Sequence, residues 1–186
     1  CWGKYEKRSN ILFKALIYTD KGIKMIQGRL QSNFKMKSER KDNDNTVIDG
    51  ELTCCDANSF AVYAYGTMKY SLFSGMYLFP GNEGLALEVS CKKCGKRINI
   101  FNSNADGYGG IVDGQDKHPL KTEAVNCKKC SSNDFSLNIR YEYPDMQELL
   151  DDGITQVDNA FTWIWISLRC NKCGTIYKKF VDYETT

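Results

Sequence analysis

A single histidine in 186 residues is the scarcest chemical resource of this chain. One imidazole, His118, rules out a three-histidine zinc hydrolase and leaves any Ser-His-Asp relay dependent on that one side chain. It stands in Lys117-His118-Pro119-Leu120, a stretch suited to a solvated loop rather than a catalytic base. Charge of one sign is also lacking: 25 Lys and Arg against 23 Asp and Glu leave a formal net charge of +2. Division before Cys91 gives 12 basic and 10 acidic residues on one side and 13 of each on the other, so neither half is a basic tail.

No apolar run approaches the roughly 20 residues of a membrane helix, and Ile11–Tyr18 is interrupted by Lys14. No signal-peptide pattern appears. No glycine-rich loop leads into a lysine and a hydroxyl residue, so nucleotide hydrolysis has no support. The acidic stretches Asp42–Thr46 and Asp106–Asp113 lack calcium-loop spacing, with Val47 where such a loop needs glycine, and are expected to be turns. The chain begins at Cys1, expected to be a fragment boundary rather than a lipidated cysteine, since an apolar segment starts at Ile11 in place of a polar tether.

Cysteine, by contrast, is plentiful. Of nine, six form three Cys-x-x-Cys pairs: Cys91/Cys94, Cys127/Cys130 and Cys170/Cys173. Two thiolates at that spacing sit at the mouth of one turn and reach a single tetrahedral ion with bonds of about 2.3 Å. An odd cysteine count argues against a fully paired disulfide framework, and metal thiolates in a reducing compartment, the cytoplasm, are the expectation. A redox-active dithiol is the competing chemistry, but that motif opens a helix after a strand, and here strands are expected after each turn. The vicinal Cys54-Cys55 is expected to be a buried thiol beside a less buried one.

β-Branched and aromatic runs predict strands over Ile11–Tyr18, Ile23–Met36, Val47–Cys54, Phe60–Tyr65, Tyr70–Phe79, Leu85–Ser90, Ile98–Phe101, Phe135–Tyr143, Phe161–Leu168 and Ile176–Tyr183. Turn chemistry at Asp20–Gly22, Asp49-Gly50, Pro80–Asn82 and Asp106-Gly107 separates several of them. One helix is expected over Asp145–Asp152, with Pro144 suited to its first turn and Gly153 to its stop; Asp56–Tyr65 is a short helix or a strand. Loops are expected at Ser38–Thr46 and Asn102–Thr122. Phe161–Leu168 barely alternates with polar residues, which places it mid-sheet, covered on both faces, and anchors Cys170 to the core. The fold class is therefore α+β and β-rich, with antiparallel sheets and one short helix. Residues 1–84 are expected to form a β-rich N-terminal region and 85–186 a cysteine-bearing region, with one continuous domain as the alternative.

The segments LEVSCKKCGKRINIF and ISLRCNKCGTIYKKF share strand, Cys-x-Lys-Cys-Gly and strand, while the middle pair has Ser131 in place of the glycine. A glycine there permits the left-handed backbone that turns N–H groups onto the sulfurs. These turns resemble the knuckles of zinc-ribbon and treble-clef proteins, over about a third of the chain. The resemblance implies a structural Zn²⁺ shared by two knuckles and is unspecific for function. Cys127/Cys130 with Cys170/Cys173 is the preferred site, because the 39 residues between them carry two strong strands and the short helix. Cys91/Cys94 with Cys127/Cys130, Cys91/Cys94 with Cys170/Cys173, and a second metal completed from Cys54, Cys55 or His118 remain alternatives. One Zn²⁺ per chain is expected.

Ten of the 13 basic residues in the second half crowd the knuckles, among them Lys92, Lys93, Lys128 and Lys129. They could contact phosphates, making the protein a nucleic-acid binder. They equally offset the two net negative charges of a Zn²⁺ held by four thiolates. Four cysteine ligands leave no open position for water, which describes a structural ion. The sequence thus favours a non-catalytic, zinc-stabilised module with a protein partner, with nucleic-acid binding as the alternative and dithiol redox or other enzymatic chemistry third.

Overall fold

The computed structural model describes residues 26–71, 75–113 and 120–185. The expected strand Ile11–Tyr18, the turn at Asp20–Gly22 and His118 lie outside them. Within them the chain forms eleven strands, two short α-helices and one 3₁₀ turn: β1 Phe34–Asp42, β2 Asn45–Leu52, β3 Phe60–Tyr65, β4 Thr67–Tyr70, β5 Met76–Phe79, β6 Ala86–Cys91, β7 Arg97–Asn102, α1 Gly107–Val112, β8 Glu123–Ala124, β9 Phe135–Tyr143, α2 Met146–Asp151, β10 Trp163–Cys170 and β11 Ile176–Glu184. This is the β-rich, antiparallel fold that the apolar runs predict.

Nine of these strands make one antiparallel sheet, and β4 and β5 make a separate hairpin. The sheet forks at β9. One edge of β9 is paired along its length with β10, from Phe135↔Cys170 to Glu142↔Trp163. The other edge is shared: β2 takes Asn138 to Tyr143, while β3 meets it only at Phe60↔Phe135. From that fork β2 leads to β1, and β3 leads through β6 to β7, so the sheet curls. Strands from both sides of residue 85 are neighbours in it.

The main core is built on this sheet. Phe60, Phe101, Phe135, Tyr141, Tyr143, Phe161, Tyr177 and Phe180 are fully buried in it, with Leu, Ile and Val of β2, β3, β6, β9 and β10 in the same cluster. Tyr141 meets Phe161 edge-on, ring centres 5.0 Å apart. Arg29 forks onto the buried carboxylate of Asp106, which also accepts from the Asn102 amide, and this ties the segment before β1 to the start of α1.

Several expectations need correction. The expected strand Ile23–Met36 is turn over its described part up to Asn33, and β1 starts only at Phe34. Ser38–Thr46 is not a loop: it supplies most of β1 and a turn at Asn43, whose φ is +54°. Lys and Glu side chains suit this strand because it lies at the sheet edge, paired only with β2. Asp49-Gly50 is not a turn but the middle of β2, where glycine is needed because the Phe34 ring lies 2.3 Å from where a Cβ would stand. Asn102–Thr122 contains a second helix, α1, entered through Gly107 at φ +79°. β10 is paired on both edges, yet only its Ile164, Ile166 and Leu168 face is buried; Trp163 and Trp165 lie half-open on the other. Asp145 caps α2 by accepting from the Gln147 amide at 2.7 Å, so Pro144 stands just before the cap, and Gly153 ends the helix at φ +77°.

Candidate metal centres

Three turns built alike carry the Cys-x-x-Cys pairs. In each, the N–H of the first cysteine donates to the carbonyl five residues on: Cys91 to Lys96, Cys127 to Ser132 and Cys170 to Thr175, all at 2.9 Å. The residue after the second cysteine then donates back to the first, from Gly95, Ser131 and Gly174 at 2.8–2.9 Å. That residue sits in the left-handed region each time, at φ +75°, +57° and +74°. The serine adopts the conformation the two glycines take, at a cost of order 1 kcal/mol.

Strand register decides where these turns lie. Cys91 ends β6 opposite Phe60, Phe60 faces Phe135, and Cys170 ends β10 opposite Phe135. The two homologous knuckles therefore open at the same end of the sheet, three strand spacings apart, or about 14 Å. Their turns are also joined side to side. The Lys92 amide donates to the Ser59 carbonyl, and the Asn171 amide donates to the Asp134 carbonyl. Between them the Asp134 carboxylate accepts from the Ser59 hydroxyl at 2.7 Å and the Asn171 side chain at 2.8 Å. The middle knuckle reaches the same end through β3: Val125 donates to the Val62 carbonyl, and the Asn133 side-chain amide accepts from and donates to Val62 in the manner of a strand.

Eight cysteines thereby gather into two sets of four. Cys127, Cys130, Cys170 and Cys173 have all their sulfurs within 4.8 Å of one another, and so do Cys54, Cys55, Cys91 and Cys94. Four sulfurs on a tetrahedron with metal bonds of about 2.3 Å stand about 3.8 Å apart along each edge. The separations fit: Cys127–Cys173 is 3.6 Å and Cys130–Cys170 is 3.5 Å in one set, Cys54–Cys55 is 3.8 Å and Cys54–Cys94 is 3.7 Å in the other. All eight are free thiols, too far apart for disulfide bonds of about 2.05 Å. Both sets could hold a metal ion, consistent with zinc-ribbon-like sites.

The electrostatics of the two sets suit an ion that displaces protons. Burial pushes the Cys54 and Cys170 thiols up to about 12. Against this, the Thr175 hydroxyl and amide bring Cys173 down to about 6, and the Lys96 amide brings Cys94 down to about 7. Burial raises Cys127, but the Tyr177 hydroxyl and the amides of Cys130 and Lys129 outweigh it and leave the thiol below its ordinary value. Tyr177 is buried, its hydroxyl 3.1 Å from the Cys127 sulfur while accepting from the Lys128 amide at 3.0 Å.

Of the sequence-derived candidates, the structure thus brings Cys127, Cys130, Cys170 and Cys173 together and places Cys91 and Cys94 in a separate set. Cys54 and Cys55 complete that set. Cys54 is buried and Cys55 exposed as packing arguments expect, but both face the Cys91 knuckle. The signal for them was the spare pair itself: two unmatched thiolates require two more, and the chain outside the three motifs offers only Cys1, Cys54 and Cys55. Lys92, Lys93, Lys128 and Lys129 are exposed on the knuckle turns. Lys93 donates to the Cys55 carbonyl at 3.0 Å, and Lys128 donates to the Ser71 carbonyl and lies 5.6 Å above the Tyr70 ring. No family model matches the chain, and no curated protein or solved structure matches it.

Proposed function

We propose that this chain is a non-catalytic binding module, stabilised by one Zn²⁺ in each four-cysteine set, that engages a protein partner. The two four-sulfur sets carry this reading, because each supplies all four ligands a structural Zn²⁺ takes and leaves no position for water or substrate. Thiolate ligands of this kind favour a reducing compartment, and cytoplasmic residence follows from that chemistry. No helix among the described residues is long and apolar enough to cross a membrane.

The half-open face of β9 and β10 supports a protein partner. The Trp163 and Trp165 rings stack there at 5.3 Å and 13°. Arg140 lies 5.8 Å from the Trp165 ring, held from its other side by Asp49, and Asp182 accepts from the Trp163 indole at 2.8 Å. Tryptophan and arginine, held rigid before binding, are the side chains that most often anchor protein interfaces. Nucleic-acid binding through Lys92, Lys93, Lys128 and Lys129 is the second reading, favoured by the placement of their turns at one end of the sheet.

One comparison separates the two. A partner captured by the metal-loaded chain and lost with Trp165→Ser, while Lys92, Lys93, Lys128 and Lys129→Gln retains it, is the expected result. Binding to DNA or RNA that weakens steeply with salt and is lost in the four-lysine variant would replace the protein reading with the nucleic-acid one.

A further inference from the structure

We propose that Cys54, Cys55, Cys91 and Cys94 form an exchangeable site that surrenders Zn²⁺ to competing thiol or nitrogen-oxygen chelators, while the other set retains its ion. The inference rests on the zinc reading above and concerns what distinguishes two sites of identical ligand count.

Access differs first. In the exchangeable set Cys55 and Cys94 are exposed, whereas the outer pair of the other set, Cys130 and Cys173, is half-buried. An incoming ligand attacks a thiolate-bound Zn²⁺ at an open edge, and the Cys55–Cys94 edge is open.

The hydrogen bonding around the sulfurs differs as well. Tyr177 and Thr175 place hydroxyls 3.1 and 3.2 Å from the sulfurs of Cys127 and Cys173. Among the described residues no side-chain hydroxyl or N–H lies at a sulfur of the Cys54 set. Such outer partners commonly change metal affinity 10- to 100-fold.

Ligand geometry points the same way. Two knuckles hold the retained ion, each turning on a single left-handed residue, Ser131 or Gly174. The Cys54-Cys55 pair offers adjacent ligands from a turn closed by reciprocal bonds between Cys54 and Ala57, at 2.9 and 3.0 Å. Two consecutive non-glycine residues there, Cys55 at φ +53° and Asp56 at +57°, occupy the left-handed region. Departure of Cys55 from the metal lets that turn relax. In the exchange step the Zn–S bond to Cys55 breaks, the acceptor's donor atom takes its place, and the freed thiolate takes a proton from water. No electron is transferred. Occupancy of this site then follows the surrounding zinc level, and with it the order of the β3–β6 end of the sheet. The chemical class of ion is a soft divalent cation, Zn²⁺ or its probe Cd²⁺.

The zinc-loaded full chain, mixed with excess 4-(2-pyridylazo)resorcinol, tests this. Two phases of equal amplitude, one ion each, are expected, with rates at least about 10-fold apart. Cys55→Ser should remove or further accelerate the fast phase and leave the slow one unchanged; Thr175→Val should accelerate only the slow phase. The ¹¹³Cd spectrum of the unmutated protein gives an independent readout, with two thiolate signals, one of which vanishes on adding substoichiometric EDTA. Two ions leaving in a single slow phase, or a fast phase that responds to Thr175→Val and not to Cys55→Ser, overturn the inference and leave the zinc reading intact. A chain without zinc overturns both.

Discussion

Phe60 and Phe135 face each other across β3 and β9, and each has a metal-set cysteine as its partner on the far side, Cys91 for Phe60 and Cys170 for Phe135. Both rings are fully buried. One aromatic pair therefore sets the separation and alignment of two knuckles more than 70 residues apart in sequence. Ions held by these sets would not stabilise separate appendages: each would close a turn whose first cysteine is itself a core residue, since Cys91 and Cys170 are as buried as the phenylalanines beside them.

Phe135→Ala is accordingly expected to cost about 3–5 kcal/mol, the usual range for emptying a buried aromatic site. Because Phe135 spans the row, the variant should also weaken metal retention at both sets, which chelator competition reads alongside thermal melting. A variant that loses the stability but keeps both ions with unchanged release would separate the core from the metal centres.

Tyr177→Phe isolates one hydroxyl. Its loss leaves the partly buried Lys128 amide without its acceptor and removes the bond to the Cys127 sulfur. The expected costs are about 1–3 kcal/mol in stability and a 10- to 100-fold weaker ion in that set alone. Equal weakening at the Cys54 set would contradict the independence of the two sites.

Most strands were legible because their apolar residues are fixed by burial on one or two faces; Phe60–Tyr65 and Phe135–Tyr143 come out with the predicted bounds. The β1 strand was not, because its residues face water and only pairing with β2 makes them extended. Gly50 was mistaken for a turn residue because the ring that demands it, Phe34, is distant in sequence. The Cys54 set stands in the sequence only as one alternative, for a related reason. Adjacent cysteines lack the Cys-x-x-Cys spacing, and their role depends on β3 pairing with β6, a contact that no local pattern encodes. Burial of the Ile164 face of β10 was readable; the openness of its Trp face depends on which layer covers the sheet, and Trp163 and Trp165 look the same in sequence either way.

Metal loading should release protons, and their number should depend on pH in a stated direction. Near pH 8 Cys173, at about 6, is already a thiolate and Cys94, at about 7, is mostly one, while Cys54 and Cys170, at about 12, still hold their protons. Zinc binding there displaces the protons of the raised thiols. As pH falls through 7 and then 6, Cys94 and Cys173 become protonated before binding, so the count per ion rises towards four. Affinity falls steadily over the same range, because each added proton competes with the metal. Isothermal titration in buffers of different ionisation enthalpy gives the count. A number independent of pH between 5 and 8 would contradict the placement of these two thiols.

The central claim is that eight cysteines hold two ions, and elemental analysis of protein purified without added metal, combined with zinc-edge X-ray absorption, tests it most directly. The account predicts two Zn²⁺ per chain, each bound by four sulfurs at about 2.3 Å. One Zn²⁺ per chain that stays at one after zinc is added back would mean that the Cys54 set is only a cluster of thiols, and no zinc with all eight thiols free would remove the basis of the proposed function.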